Sequence, residues 1–292
     1  MLIQQLVNGL FIGSVYALFA LGYTLVFGVL DILNLAHASI FMLGAFATLA
    51  IVLKGAPLWL AVLGGAIAGG LFGVMLDRIA FWPLRRRRAG PLAPLISSIA
   101  VGIIYVAIAN GYFGPDVRHF PFEVVRTPTI TLGPATFTVL QLIIFAVSVA
   151  LMAGLQLLLR RTRLGAAIRA VAENPKAAQL MGINLEAVYA QTFFIASALG
   201  AVAGILFAMN FNAVSSSMGN TVELKGLAVI ILGGMGSIPG SLLGGLLIGL
   251  SETLSVGYLS SGYRDAIVFA ILFLALIVRP GGLLARRALR AA

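Results

Sequence analysis

The chain has no cysteine, only two histidines, and just 10% charged residues among its 292. Without thiols there are no disulfides, no thiolate metal sites and no cysteine nucleophile. Two histidines are too few for a histidine-built metal centre. Soluble domains carry roughly 25% charged residues, so a water-soluble fold of this length lacks its polar surface here. The 34 glycines follow no period of three, which excludes a collagen-like repeat. What the chain has instead is apolar side chains, 61% of the total, and this excludes disorder as well. An integral membrane protein remains.

Crossing a hydrocarbon core takes roughly 20 apolar residues as a helix. Uncharged runs of that order are Met1–Leu30, Ile32–Leu53, Gly55–Leu76, Ala89–Pro115, Thr127–Leu159, Ala187–Val222 and Gly226–Ser251, followed by the shorter Ala266–Val278. Runs broken by turn residues fit a helical bundle, because lipid offers no partner to backbone amides. The alternating strands of a membrane β-barrel are not visible. The pattern predicts an all-α, polytopic bundle of eight or nine crossings, at about 8–30, 34–53, 58–80, 92–112, 137–159, 187–210, 223–235, 240–257 and 265–279. The segment 223–235 is short enough to be broken or re-entrant, ending at Gly233-Gly234-Met235-Gly236. No internal repeat is evident, and residues 1–292 form a single domain in this reading.

Charge sets the orientation. Fourteen of the nineteen cations fall on one side: Arg78, Arg85 to Arg88, Arg160, Arg161, Arg163, Arg169, Lys176, Arg279, Arg286, Arg287 and Arg290. The other five, Lys54, Arg118, Arg126, Lys225 and Arg264, are assigned to the opposite loops. The positive-inside rule makes the first side cytoplasmic, with the N-terminus out and the C-terminus in. The net charge of +10 is thus mostly an orientation signal. No recognition element for nucleic acid accompanies it. The N-terminus carries no cation before its apolar stretch, so a cleaved signal peptide is not expected.

Small residues recur every four positions at Gly65, Gly69 and Gly73, at Ala196, Gly200 and Gly204, at Gly240 and Gly244, and at Gly245 and Gly249. Such spacing forms a groove along one helix face and lets a neighbouring backbone approach closely.

The segment 160–186, RRTRLGAAIRAVAENPKAAQLMGINLE, is the longest cytoplasmic loop. Leu164 to Ala172 predicts a short helix. Asn174 then caps a second helix, with Pro175 at its first position. That helix, Lys176 to Met181, makes barely two turns before Gly182 provides a left-handed stop. So short a helix is not stable alone in water and must pack on something. Ala177, Ala178, Leu180 and Met181 supply apolar surface, and Arg169, Glu173 and Lys176 a charged rim. The alternatives are a connector lying on the membrane and a docking element for a soluble partner.

This segment resembles the cytoplasmic coupling region of the permeases of branched-chain amino acid ABC transporters, the LivH type. Thr162-Arg163-Leu164-Gly165, Arg169-Ala170, Pro175, Ala178 and Met181-Gly182-Ile183-Asn184 fall on that family's pattern. Asn8-Gly9-Leu10, Gly13-Ser14, Tyr16-Ala17-Leu18 and Ala20-Leu21-Gly22-Tyr23-Thr24 are similar to its opening span. Asn34, Ala36 and His37 match an Asn-Phe-Ala-His-Gly element, although Leu35 replaces Phe, Ala38 replaces Gly and Ser39 an often acidic residue. Leu232 to Gly240 resembles the family's glycine-rich turn, and Arg279-Pro280-Gly281-Gly282-Leu283 its C-terminal element. Tyr105 to Asn110 departs from a usual Leu-Gln-Asn. The resemblance implies an ABC importer permease of the bacterial inner membrane for leucine, isoleucine and valine. It further implies a second homologous permease subunit, two cytoplasmic ABC ATPase subunits and a periplasmic substrate-binding protein. Coupling to the ATPases would then fall to Arg163, Leu164, Gly165, Arg169, Ala170, Glu173, Asn174, Pro175, Ala178, Met181 and Gly182. Related permeases for urea, short amides or another amino acid remain open, as does a self-sufficient secondary transporter or channel.

Chemistry of the chain's own is not expected. Gly233 to Gly240 is followed by no Lys-Ser/Thr and fails G-x-G-x-x-G at Pro239, so no nucleotide cradle is present. No Ser–His–Asp or paired-carboxylate set can be assembled, so the chain is not read as an enzyme, and no cofactor is expected. Polar residues at membrane depth are costly and point to a substrate path. The candidates are Asn34, His37 and Ser39 after the first crossing, Ser97, Ser98 and Asn110 on the fourth, and Asn212 at the outer end of the sixth. His37 could equally cap a helix or bond a carbonyl, and the serines could bond back within their helix. Glu252, the one carboxylate within the eighth span, is expected to pair with Arg264 or be neutral.

Overall fold

Long apolar runs with few helix breakers form helices wherever the backbone must satisfy its own amides. The computed structural model describes residues 1–87, 89, 90, 92–125, 127–132, 135–279 and 281–284. The cations Arg88, Arg126, Arg286, Arg287 and Arg290, and Pro280 of the C-terminal motif, lie outside the described residues. The helices are α1 (Leu2–Leu30), α2 (His37–Leu53), α3 (Leu58–Leu76), α4 (Trp82–Arg86), α5 (Leu92–Phe113), α6 (Phe122–Val125), α7 (Val139–Arg161), α8 (Arg163–Glu173), α9 (Pro175–Leu180), α10 (Leu185–Phe211), α11 (Met218–Gly233), α12 (Ile238–Tyr258) and α13 (Arg264–Val278). A π-helical turn, Asp77–Phe81, joins α3 to α4 without a break.

Among the described residues, seven helical segments are long and apolar enough to cross a membrane. Two shorter apolar helices, α2 and α11, have 17 and 16 residues. The α2 helix begins at His37 rather than at residue 34, because residues 31–36 run back into the bundle without helical structure. The α11 helix begins at Met218, five residues before the predicted span 223–235, and Lys225 is buried inside it. The loop assignment of Lys225 is therefore wrong: a lone lysine does not interrupt a helix when a carboxylate on the next helix neutralises it. A small hairpin absent from the sequence reading, β1 (Thr129–Leu132) with β2 (Ala135–Thr138), precedes α7, with Thr129 opposite Thr138.

The bundle is built around α1 and α10, each buried over most of its length. Glycine permits the close packing. A methyl group on Gly69 would collide with Ala201, on Gly73 with Ser197, and on Gly249 with the backbone of Gly13. These contacts set α3 antiparallel on α10, and α12 antiparallel on α1.

The two halves repeat a backbone device that the residues conceal. The only positive-φ residues other than glycine, among those described, are Asp31 (φ 54°) and Asn212 (φ 45°). Asp and Asn are the side chains that tolerate this region. Each ends a central helix, and a short helix begins six residues later. The amide of His37 bonds the Asn34 carbonyl at 3.2 Å, and that of Met218 bonds Ser215 at 3.2 Å. The short helices start against one another, since Gly219 lies on the carbonyl of Ala38. With α2 and α3 packed on α10, and α11 and α12 on α1, the two three-helix units exchange partners as a pair related by a pseudo-two-fold axis does.

Candidate functional site: a polar centre and a two-helix segment

The start of α2 gathers four of the seven candidate path residues. Asn34 and His37 are buried, and Ser39 and Ser98 lie beside them. The Leu35 amide donates to Ser98 Oγ at 3.2 Å, and the Ser98 hydroxyl donates to the Leu95 carbonyl at 2.7 Å. The Ser39 hydroxyl donates to the Gly102 carbonyl at 3.1 Å. The Leu35 and Ser39 bonds tie the start of α2 and the turn before it to α5. His37 sits between the rings of Phe19 and Tyr23, at 4.9 and 4.8 Å, against Gly22 and Gly200. Apart from an approach to the Phe19 backbone, its ring nitrogens have no partner among the described residues, and neither has either polar atom of the Asn34 side chain.

The other three candidates lie elsewhere. Ser97 is half-buried on a different face of α5 from Ser98, and Asn110 lies farther along the same helix, its Oδ1 without a partner among the described residues. Asn212 ends α10, and its Oδ1 accepts from the Phe120 amide at 3.0 Å, so it fastens the loop after α5.

Residues 160–186 fold as two helices. Thr162 caps α8 by accepting from the Gly165 amide at 3.0 Å, and Asn174 caps α9 by accepting from Ala177 at 3.0 Å. Gly182 takes φ +83° and turns the chain, and Asn184 then caps α10 through the Ala187 amide at 3.1 Å. The α8 helix packs inward through Gly165, Ile168 and Val171. Gly165 has no room for a side chain against the carbonyl of Leu158. Ala178 also faces inward, so it anchors α9 instead of presenting surface. Leu164 and Ala170 are half-buried, while Arg163, Arg169, Glu173, Asn174 and Pro175 are exposed. Leu180 and Met181 are 89% and 83% exposed, which leaves two large apolar side chains standing off the bundle.

Two charge clusters are larger than the sequence indicated. Lys225 Nζ lies 2.9 Å from Glu252 Oε1 and 3.3 Å from Asp265 Oδ1, and Arg264 Nε lies 3.1 Å from the same Glu252 oxygen. The expected Glu252–Arg264 pair is present, with Lys225 as an additional partner. Where α3 ends and α10 begins, Arg85 bonds both oxygens of Asp77, at 2.6 and 3.3 Å, and Glu186 at 3.2 Å. The signal for the first cluster was the predicted span 223–235 itself, which already contains Lys225. For the second, only the coincidence of Asp77, Arg85 and Glu186 at predicted helix ends was available.

This membrane bundle, with a polar centre, two ordered helices between α7 and α10 and no nucleotide motif, matches known permeases along its length. The family model for the branched-chain amino acid transport system permease component matches residues 5–276. The chain is 36% identical to the high-affinity branched-chain amino acid transport system permease protein LivH of Escherichia coli, over 97% of this chain and 96% of that one. It is equally similar, at 36% and the same coverage, to the corresponding permease protein BraD of Pseudomonas aeruginosa. Identity to the nucleoside ABC transporter permease protein NupC of Lactococcus lactis is 30%, over 77% of this chain and 74% of that one. The chain belongs to the family of branched-chain amino acid transport permease components, and is a membrane-embedded transport subunit rather than an enzyme.

Proposed function

We propose that the chain is the permease subunit of an ATP-driven importer moving leucine, isoleucine and valine across the bacterial inner membrane. In this reading residues 1–292 form one domain with nine crossings, counting α2 and α11 as half-length helices that start inside the bundle. The N-terminus lies outside and the C-terminus in the cytoplasm. The partners are a second homologous permease, two ABC ATPase subunits and a periplasmic binding protein. One observation carries the reading: a two-turn helix capped by Asn174, ended at Gly182 and anchored by Ala178, displaying Leu180 and Met181 to water. Isolated helices of this length are unstable, and exposed large apolar side chains on an ordered element fit a protein groove. The cargo follows from the relatives, since coverage and identity both fall from the branched-chain permeases to the nucleoside one. The path runs past Asn34, His37, Ser39 and Ser98, with Ser97 and Asn110 along α5 and Asn212 at the outer end. An apolar amino acid needs few polar contacts there, because the binding protein supplies the tight recognition.

The test is labelled leucine uptake in a deletion strain carrying the chain with its partners. Isoleucine and valine are expected to compete, and urea, short amides and nucleosides are not. Gly182→Val, which puts a branched residue at φ +83°, and Arg169→Glu are each expected to abolish uptake while the protein stays in the membrane. Undiminished uptake in both variants would remove the coupling assignment. Uptake by the chain alone in proteoliposomes without ATP would indicate a secondary transporter.

A further inference from the structure

The Arg85 cluster lies where the docking segment rejoins the bundle. Glu186 stands in the first turn of α10, four residues beyond the Gly182 turn that ends the docking segment. Whatever displaces α9 therefore arrives first at this end of α10. Arg85 Nη2 bonds Glu186 Oε2 at 3.2 Å, while Nη1 and Nη2 grip the two oxygens of Asp77. The guanidinium also lies 4.5 Å from the centre of the Tyr189 ring, one turn along α10. Asp77 is fully buried, and Arg85 keeps 16% of its side-chain exposure.

One planar cation thus joins two helices at their cytoplasmic ends. Its five donors in a rigid fork allow a bidentate grip on one carboxylate with a donor left for a second, which a lysine cannot match. Asp77 opens the π-helical turn between α3 and α4. A single extra residue in a helical turn is costly, and such turns concentrate at functional positions. Here it lies at the point where the fork reaches Asp77 from α4. Above the cluster α3 and α10 touch along Gly69, Gly70 and Gly73, and Phe81 packs on Phe193 with ring centres 5.1 Å apart. With so little free volume between them, a shift at the foot of α10 carries α3 along while the fork holds.

We propose that Arg85 is a positioning residue for coupling: acting through Glu186, it passes the displacement of α8 and α9 into α3. This rests on the importer reading above. Arg78 serves as an internal control, since it reaches Glu186 only at 3.8 Å and is 47% exposed, so its ion pair adds little.

The experiment uses the complete complex in proteoliposomes, with binding protein, leucine and ATP, and measures leucine moved per ATP hydrolysed. Arg85→Gln is expected to leave ATP hydrolysis near the wild-type rate and to lower that ratio by about tenfold or more, the scale of an inter-site coupling. Glu186→Gln reproduces the loss, Arg85→Lys falls between, and Arg78→Ala matches the wild type. An unchanged ratio in Arg85→Gln overturns the proposal. So does a parallel fall of transport and hydrolysis together with lower thermal stability, which marks a merely structural staple. Should Arg85→Gln fail to fold, Arg85→Lys and Glu186→Gln give the same ratio, and a wild-type value in both overturns it. A wild-type complex that moves leucine without ATP overturns the importer reading itself, a result distinct from a coupled wild type beside a coupled Arg85→Gln.

Discussion

Lys225 and Glu252 are each 3% exposed, and a charge so placed survives only because its counter-charge is in contact. The cluster of Lys225, Glu252, Arg264 and Asp265 joins α11, α12 and α13, and has no net charge. Lys225→Met leaves Glu252 with Arg264 alone and is expected to destabilise the bundle by about 3 kcal/mol, the scale of breaking a buried pair. The double variant Lys225→Met/Glu252→Gln removes both charges and is expected to lose less. Thermal unfolding of the two purified variants in detergent checks the order, and a double variant weaker than the single one would contradict it. The sequence showed both side chains, but not their meeting, because 27 residues separate them and pairing depends on how the α11–α12 hairpin closes.

At the level of helices, glycine decides how near two backbones come. Gly69→Leu is expected to cost about 1–3 kcal/mol, because the α3–α10 contact has no space for the side chain. Gly154→Leu on α7, where nothing lies within 4 Å, is expected to be neutral or slightly stabilising. Melting temperatures of the two variants give the comparison, and equal shifts would deny that the α3 groove packs. The grooves were readable in advance, since spacing every four residues needs only helix geometry. So were α8 and α9, whose limits at Thr162, Asn174 and Gly182 are written in local capping chemistry. The end of α1 at Leu30 was legible too, since its apolar run stops there at Asp31. Its left-handed backbone matters only with α10 and α5 in place to receive residues 31–36.

On the scale of the whole molecule, the absence of cysteine is useful. A single cysteine replacing Leu180 is expected to react with an impermeant maleimide only from the cytoplasmic face. One replacing Tyr112, 88% exposed at the end of α5, is expected to react only from outside. Labelling of both from one side would overturn the orientation. The same view shows why the repeat escaped the sequence. Asp31 to His37 and Asn212 to Met218 share a backbone path but almost no side-chain chemistry, and a two-fold relation constrains the path alone.

The apolar membrane helices, most of their limits and the helices α8 and α9 were legible along the chain. Each depends on apolar runs, charge placement and caps that act within a few turns. Folding had to supply the meeting of Lys225 with Glu252 and Asp265, the Arg85 fork and the burial of Asn34 at the heart of the bundle. Those depend on residues tens to hundreds of positions apart, brought together by how closely glycine lets α1, α3, α10 and α12 pack.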